Sequence, residues 1–163
     1  MRKFLITLKH EGKVDLVSPS KNVSEAYQQK AKDCLRAAKI LLEANLFENS
    51  ISQSYYAMYN QVQSLLFIVG IKCENHVAAI YLFGELFGKS ELKKTIESAK
   101  RERIDKQYYV TGQQNMLISK EVSFSMIQDA ERIMNQVQLA KETLTEKDIQ
   151  RIRKNLQKLI SSS

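Results

Sequence analysis

A chain of 163 residues suits a single domain around one core, burying roughly 70% of the surface its unfolded form exposes. Only 5 Gly and 1 Pro, beside abundant Ala, Leu, Lys, Glu and Gln, exclude a turn-rich β fold and predict an all-α one. The 25 Lys and Arg against 18 Asp and Glu leave a formal charge of +7, which is compatible with a polyanionic partner but also with basic residues spread over solvated helix faces.

Along the chain, Phe4, Ile6 and Leu8 alternate as a strand would, although the same stretch can form a short helix. Gly12 interrupts it, and Val14, Leu16 and Val17 lead to Ser18-Pro19. This region is expected to be a loosely structured arm. Asn22 and Glu25 have capping-box spacing, and Ala26, Tyr27, Ala31, Cys34, Leu35, Ala38, Leu41 and Leu42 continue at helical spacing to about Asn45. A second helix over 48–69 carries Ile51, Tyr55, Met58, Val62, Leu65, Leu66 and Val69 on a broad face and is expected to be the most buried element. Gly70 ends it, and Asn75 can cap the next helix, with Val77, Ile80, Tyr81, Leu82, Leu86 and Phe87. After Gly88 and Ser90 a charged helix with Leu92, Ile96, Ala99 and Ile104 reaches Tyr108 and Tyr109, and a loop is expected over Thr111 to Asn115. Ser119 can start a long helix with Val122, Met126, Ala130, Ile133, Met134, Val137 and Leu144. Thr145 with Asp148 then starts a basic amphipathic helix, with Ile149, Ile152, Leu156, Leu159 and Ile160 on one side and Arg151, Arg153, Lys154 and Lys158 elsewhere.

Cys34 and Cys73 are isolated, so neither a disulfide framework nor a structural zinc is expected, and a reducing compartment suits them. The longest apolar run, Leu65 to Val69, is too short to span a bilayer, and Arg2 and Lys3 precede no cleavage-site pattern. The expectation is a cytoplasmic protein with no membrane association, no metal and no cofactor. Phosphate-binding glycine loops, His-Glu-x-x-His spacing, a Gly-x-Ser-x-Gly elbow and an EF-hand are all absent from the sequence. What remains is a polar and aromatic set: Tyr55, Tyr56 and Tyr59 on the second helix, Asn75 and His76 opening the third, and Arg101, Arg103, Tyr108 and Tyr109 closing the fourth; all of these but Tyr59 are candidate ligand-binding residues. Each has an ordinary reading as well. Tyrosines at this spacing mostly bury their rings, Arg101 and Arg103 lie among charged neighbours, and His76 beside a cap position is more often packing than chemistry.

The string Ser54-Tyr55-Tyr56-Ala57-Met58-Tyr59, then Gly70-Ile71-Lys72 and Asn75-His76, then Arg103 to Tyr108, resembles a group of prokaryotic HEPN-domain proteins. The resemblance covers about residues 22–140, and Lys13 to Ser20 resembles the lead-in such proteins carry. It implies an antiparallel bundle of five to six helices, divided here into a short arm at 1–21, a HEPN-like bundle at 22–144 and the basic amphipathic helix at 145–163. It also implies a homodimer, a minimal nucleotidyltransferase as toxin-antitoxin partner, and a polar site for a nucleotide or RNA near the end of the fourth helix. Other relatives are metal-independent ribonucleases that carry Arg, a spacer of about four to six residues, then His. There the His moves a proton and the Arg stabilises phosphate charge.

That motif is missing here. From Arg103 the spacing reaches Tyr108, Tyr109 and Val110, and from Arg101 it reaches Lys106, Gln107 and Tyr108. Arg36, Arg132, Arg151 and Arg153 also fail, and Arg2 misses His10 by one position. A phenol, with an ordinary pKa of about 10, is a poor base at neutral pH. Gln107 also replaces the Asp of the family's usual Asp-Tyr ending. The first expectation is therefore a non-enzymatic interaction module holding a nucleotide or RNA phosphate near Arg103. In some relatives a tyrosine two residues beyond the motif His accepts a nucleotidyl group, which makes Tyr108 or Tyr109 the approximate counterpart, although the matching position is Val110. The alternative is an endoribonuclease toxin using His76 with Arg103. A third reading has the basic C-terminal helix bind nucleic acid nonspecifically, against which its apolar side already gives it a packing role. The first two need Tyr56, His76 and Arg103 to converge on one cleft.

Overall fold

The computed structural model describes residues 1–108 and 114–161, apart from the side chains of 105–108 and 114–118. Its helices are α1 (Arg2–His10), α2 (Lys21–Glu43), α3 (Phe47–Ile68), α4 (His76–Phe87), α5 (Ser90–Tyr108), α6 (Gln114–Thr143) and α7 (Glu146–Ile160), with short strands β1 (Val14–Leu16) and β2 (Ile71–Cys73). The chain is all-α as expected, with seven helices and a two-stranded ribbon among the described residues.

Small residues set the central helix pair. Ser24, Ala31 and Ala38 on α2, and Ser50, Ala57 and Ser64 on α3, recur every seventh position and are fully buried. The Ser24 and Ser64 hydroxyls lie 3.1 Å apart, and the Ser50 hydroxyl donates to the Ala38 carbonyl at 2.7 Å. This antiparallel register puts Ala31 opposite Ala57. With no bulky side chain in the seam the two backbones approach closely, and α2 with α3 is the most extensive helix pair in the fold. α3 also packs against α5 and α6, with smaller contacts to α4 and β2, and most of its residues are buried, as expected from its broad apolar face. No described helix is long and apolar enough to cross a membrane.

Helix termini follow sequence signals, with two corrections. Asn75 accepts the Ala78 N–H at 3.0 Å, and Thr145 and Asp148, expected to start the last helix, form a capping box. The Asn22–Glu25 box is not the start of α2. Ser20, extended after Pro19, caps it by accepting from Val23 N–H at 3.2 Å, and Asn22 is already inside the helix. α6 begins at Gln114 rather than Ser119, so Gln114 and Asn115 are helical, while Thr111, Gly112 and Gln113 of the expected loop lie outside the described residues.

The largest correction concerns residues 1–21, expected to be a loose arm. Leu5 and Leu8, three apart on α1, are buried in the common core, and α1 packs on α7, whose Ile152, Leu156 and Ile160 are also buried. β1 then pairs antiparallel with β2, Val14 opposite Cys73 and Leu16 opposite Ile71. α1 and β1 therefore need partners distant in sequence, which local periodicity does not reveal.

The turn between α3 and β2 is fixed from the far end of the chain. Gly70 has φ +74°, and a Cβ there would lie 2.1 Å from Arg153 Nη1 and 2.4 Å from the Val17 oxygen. Arg153 Nη1 donates to the carbonyls of Val17, Val69 and Gly70 at 2.8, 3.0 and 2.8 Å. β2 leaves this clamped turn and leads directly into Asn75 and His76.

Candidate functional site

Three elements bring the cluster together. On α3, positions 55, 59 and 63 are separated by four residues each and share a face. The cap at Asn75 fixes the first turn of α4, where His76 is the opening residue. α5 packs against α3 and carries Arg103.

His76 is held on two sides. Its Nδ1 lies 2.7 Å from the Tyr55 hydroxyl, and its ring stacks on Tyr59 with centroids 3.7 Å apart and planes within 7°. Tyr56 meets it edge-on at 6.4 Å. Above the tyrosines, the Arg103 guanidinium sits 4.8 Å from the Tyr56 ring centroid and 5.5 Å from that of Tyr55. These are cation–π distances, which attract the cation to the ring faces without occupying its N–H groups. Arg103 Nε is buried and has no hydrogen-bond partner among the described residues.

The electrostatics are those of a neutral imidazole in a positive field. Burial pushes the His76 pKa down from its ordinary value, and the charges of Arg103 and Lys100 push it further. The N-terminal end of α4 adds the positive pole of its peptide dipoles. Burial drives the Tyr55 phenol far above the ordinary tyrosine range, with Arg103 opposing in part, and moves Tyr59 up to about 12 despite its hydrogen bond from Gln63. Cys73, beside this cluster, is raised by burial to about 11 and is an inert thiol at neutral pH.

Of the residues singled out in the sequence, the fold brings Tyr55, Tyr56, His76 and Arg103 together. Asn75 is adjacent, but its side-chain oxygen is used for the cap. Arg101 is exposed and has no hydrogen bond, ion pair or cation–π contact with the cluster among the described residues. Tyr108 is the last residue of α5, but its side chain, like the whole of Tyr109, lies outside the described residues. The candidate list omitted Tyr59, Gln63 and Lys100. The first two carried a signal, since they continue the four-residue spacing from Tyr55 on a helix already predicted.

Residues 24–141 match the model of the HEPN domain. A UPF0332 protein of Gloeobacter violaceus is 30% identical over 122 residues, covering 72% of this chain and 92% of the relative. A UPF0332 protein of Thermotoga maritima is 27% identical over 74 residues, 45% of this chain and 56% of its own length. A candidate toxin of Methanocaldococcus jannaschii is 33% identical over 57 residues, 35% of this chain and 42% of its own. The aromatic cluster lies wholly inside the domain match, whereas α1, β1 and α7 flank it. With that match spanning most of its length, the chain belongs to the HEPN domain family.

Proposed function

We propose that this chain is a HEPN interaction module that holds a phosphate group of a nucleotide or RNA between His76 and Arg103 without cleaving RNA, and that it acts, as a homodimer, as the non-catalytic, toxin-like partner of a minimal nucleotidyltransferase. The observation that most supports phosphate holding is the 2.7 Å contact between Tyr55 and His76 Nδ1. Tyr55 is fully buried and its phenol keeps its proton, because burial raises its pKa far beyond neutral. Nδ1 is the one hydrogen-bond partner of that hydroxyl among the described residues, and a buried O–H without an acceptor is costly. Tyr55 therefore donates to Nδ1, and a neutral imidazole must then carry its proton on Nε2. In this state His76 offers a donor rather than a base, beside an arginine whose N–H groups meet no acceptor among the described residues. Two donors and a positive field suit an oxyanion. The pairing with a nucleotidyltransferase draws on family membership and on the toxin description of one relative.

The test has two readouts on the purified chain. RNA is expected to survive incubation intact, and inorganic phosphate or a nucleoside monophosphate is expected to shift the His76 ring signals saturably. Arg103→Ala should weaken that binding at least about tenfold, the equivalent of one lost charge-assisted contact. No saturable shift would sink the phosphate-holding reading.

A second reading, an endoribonuclease using His76 and Arg103, is favoured by one observation: both side chains meet the same pair of rings, Tyr55 and Tyr56. It requires the other tautomer, with Tyr55 accepting from Nδ1–H and Nε2 free to take a proton. RNA cleavage that disappears in both His76→Ala and Arg103→Ala would establish it over the first.

A further inference from the structure

Behind the His76 stack lies a polar side chain whose hydrogen bonds, among the described residues, go to neither His76 nor Arg103. Gln63 is 2% exposed in the core of α3. Its Nε2 donates to the Tyr59 hydroxyl at 2.6 Å and to the Cys73 carbonyl at 2.7 Å. A backbone carbonyl can only accept, so the amide nitrogen has to face Cys73, and this settles which way round the side chain sits. Its two N–H groups are then both used, one on the strand and one on the phenol. Its Oε1, by contrast, is buried with no partner among the described residues. Leaving an amide oxygen unpaired in the interior is unfavourable, so the arrangement is held for the sake of the nitrogen.

Those two bonds join the parts that confine the imidazole. Tyr59 provides the ring on which His76 lies flat, and Cys73 is the last residue of β2, three positions before His76. The Tyr59 oxygen lies on the axis about which the ring turns, so a bond to it sets where the ring sits, while the flanking rings of Tyr55 and His76 set its plane. Gln63 pins the Tyr59 hydroxyl to the strand that delivers the histidine. Resting on the phosphate-holding reading above, we propose that Gln63 is a positioning residue for this site: by tying the Tyr59 hydroxyl to β2 it fixes where the ring face sits beneath His76, and so where His76 presents Nε2 to a bound anion.

The experiment compares Gln63→Met, which keeps the volume but makes neither bond, with Tyr59→Phe, which keeps the ring and loses the hydroxyl. Ser123→Ala serves as a control, because it removes a different buried hydrogen bond, to Ser50 near the start of α3. Three quantities are read in each: the ring-current displacement of the His76 proton signals, the His76 titration midpoint, and the affinity for inorganic phosphate at one pH. Gln63→Met is expected to diminish the ring-current displacement, to move the midpoint up toward the ordinary histidine value and to weaken phosphate several-fold. Tyr59→Phe should give changes in the same direction, and the double variant should be no worse than Gln63→Met alone, because Gln63→Met already lacks the bond to the Tyr59 hydroxyl. Ser123→Ala should lower thermal stability while leaving all three readouts in place. The first two readouts need no ligand. Phosphate that binds to no form of the protein would defeat the functional reading alone, whereas unchanged ring current and midpoint in Gln63→Met would overturn the positioning role. Should Gln63→Met fail to fold, Tyr59→Phe decides by the same two signals.

Discussion

Two half-buried arginines, Arg103 and Arg153, have opposite fates. Arg153 reaches across from α7 and has three backbone carbonyls converging on Nη1. Arg103 rests on the faces of two tyrosines, which attract its charge but accept none of its N–H groups, and its Nε has no partner among the described residues. The first has its Nη1 filled by groups that cannot leave without undoing a turn. The second has no hydrogen-bond acceptor among the described residues, which is the place the proposed anion would take. Basic residues counted along a sequence do not make this distinction, but hydrogen-bond saturation does. The comparison also weakens the reading of α7 as a nucleic-acid surface, since Arg153 is committed inward and Arg151 is paired with Asp148 at 2.9 Å.

The largest expected effect attacks the saturated side. Gly70→Ala places a Cβ in a left-handed backbone conformation and into the space of Arg153 and the Val17 carbonyl. The backbone term is about 1–3 kcal/mol and the steric term about the same, so a loss of about 3 kcal/mol in urea unfolding is expected. A loss under about 1 kcal/mol would mean the clamp is not a stability element.

A matched pair sharpens the contrast. Arg153→Met should cost about 2 kcal/mol, the scale for hydrogen bonds to a charged group, and leave phosphate affinity of the folded protein unchanged. Arg103→Met should cost about 1 kcal/mol or less, the scale of a partly exposed cation–π contact, and lower phosphate affinity at least about tenfold. If the two variants exchange these outcomes, saturation is the wrong criterion and the site belongs near α7.

How much of this was legible depends on where the determining contact lies. Sequence alone placed α3 as the buried centre, because its apolar residues occur on a broad helical face, and it found the cap at Asn75, because an Asn before an apolar helix has few other uses. The seam between α2 and α3 was also readable in retrospect, as small residues at 24, 31, 38 and at 50, 57, 64 share a seven-residue period. α1 was not readable, since Phe4, Ile6 and Leu8 fit a strand as well as Leu5 and Leu8 fit a helix, and only packing against α7 decides between them. Arg153 looked like any surface arginine of a basic helix because its acceptors are backbone atoms, to which no residue type points. Of the candidate site, Tyr55, Tyr56, His76 and Arg103 were chosen by resemblance, and their convergence required the fold.

The smallest expected effect concerns pH, and its sign separates a positive cluster from an anion-filled one. The folded-state pKa of His76 lies below its ordinary value of 6.5. Well above that value the imidazole is neutral both folded and unfolded, and it contributes nothing to the pH dependence of stability. As pH falls from the unfolded pKa through the lowered folded one, the unfolded chain binds the proton first, so stability is lost across that window and the loss levels off below it. Asp15 and Asp148, also lowered, titrate beneath their ordinary 3.8 and leave the window clear. Sulfate, a dianion throughout, should favour the imidazolium, raise the His76 pKa and bind more tightly as pH falls. Unfolding midpoints at about pH 7.5 and about pH 5.5, with and without sulfate, test this against His76→Gln, and taking the difference between wild type and variant removes the general stabilising effect of sulfate. The wild type should lose more stability on acidification than the variant without sulfate, and that excess should shrink with it. An excess that sulfate leaves untouched would mean that no anion reaches His76, and Arg103 would then be a packing residue whose unfilled hydrogen bonds have no functional meaning.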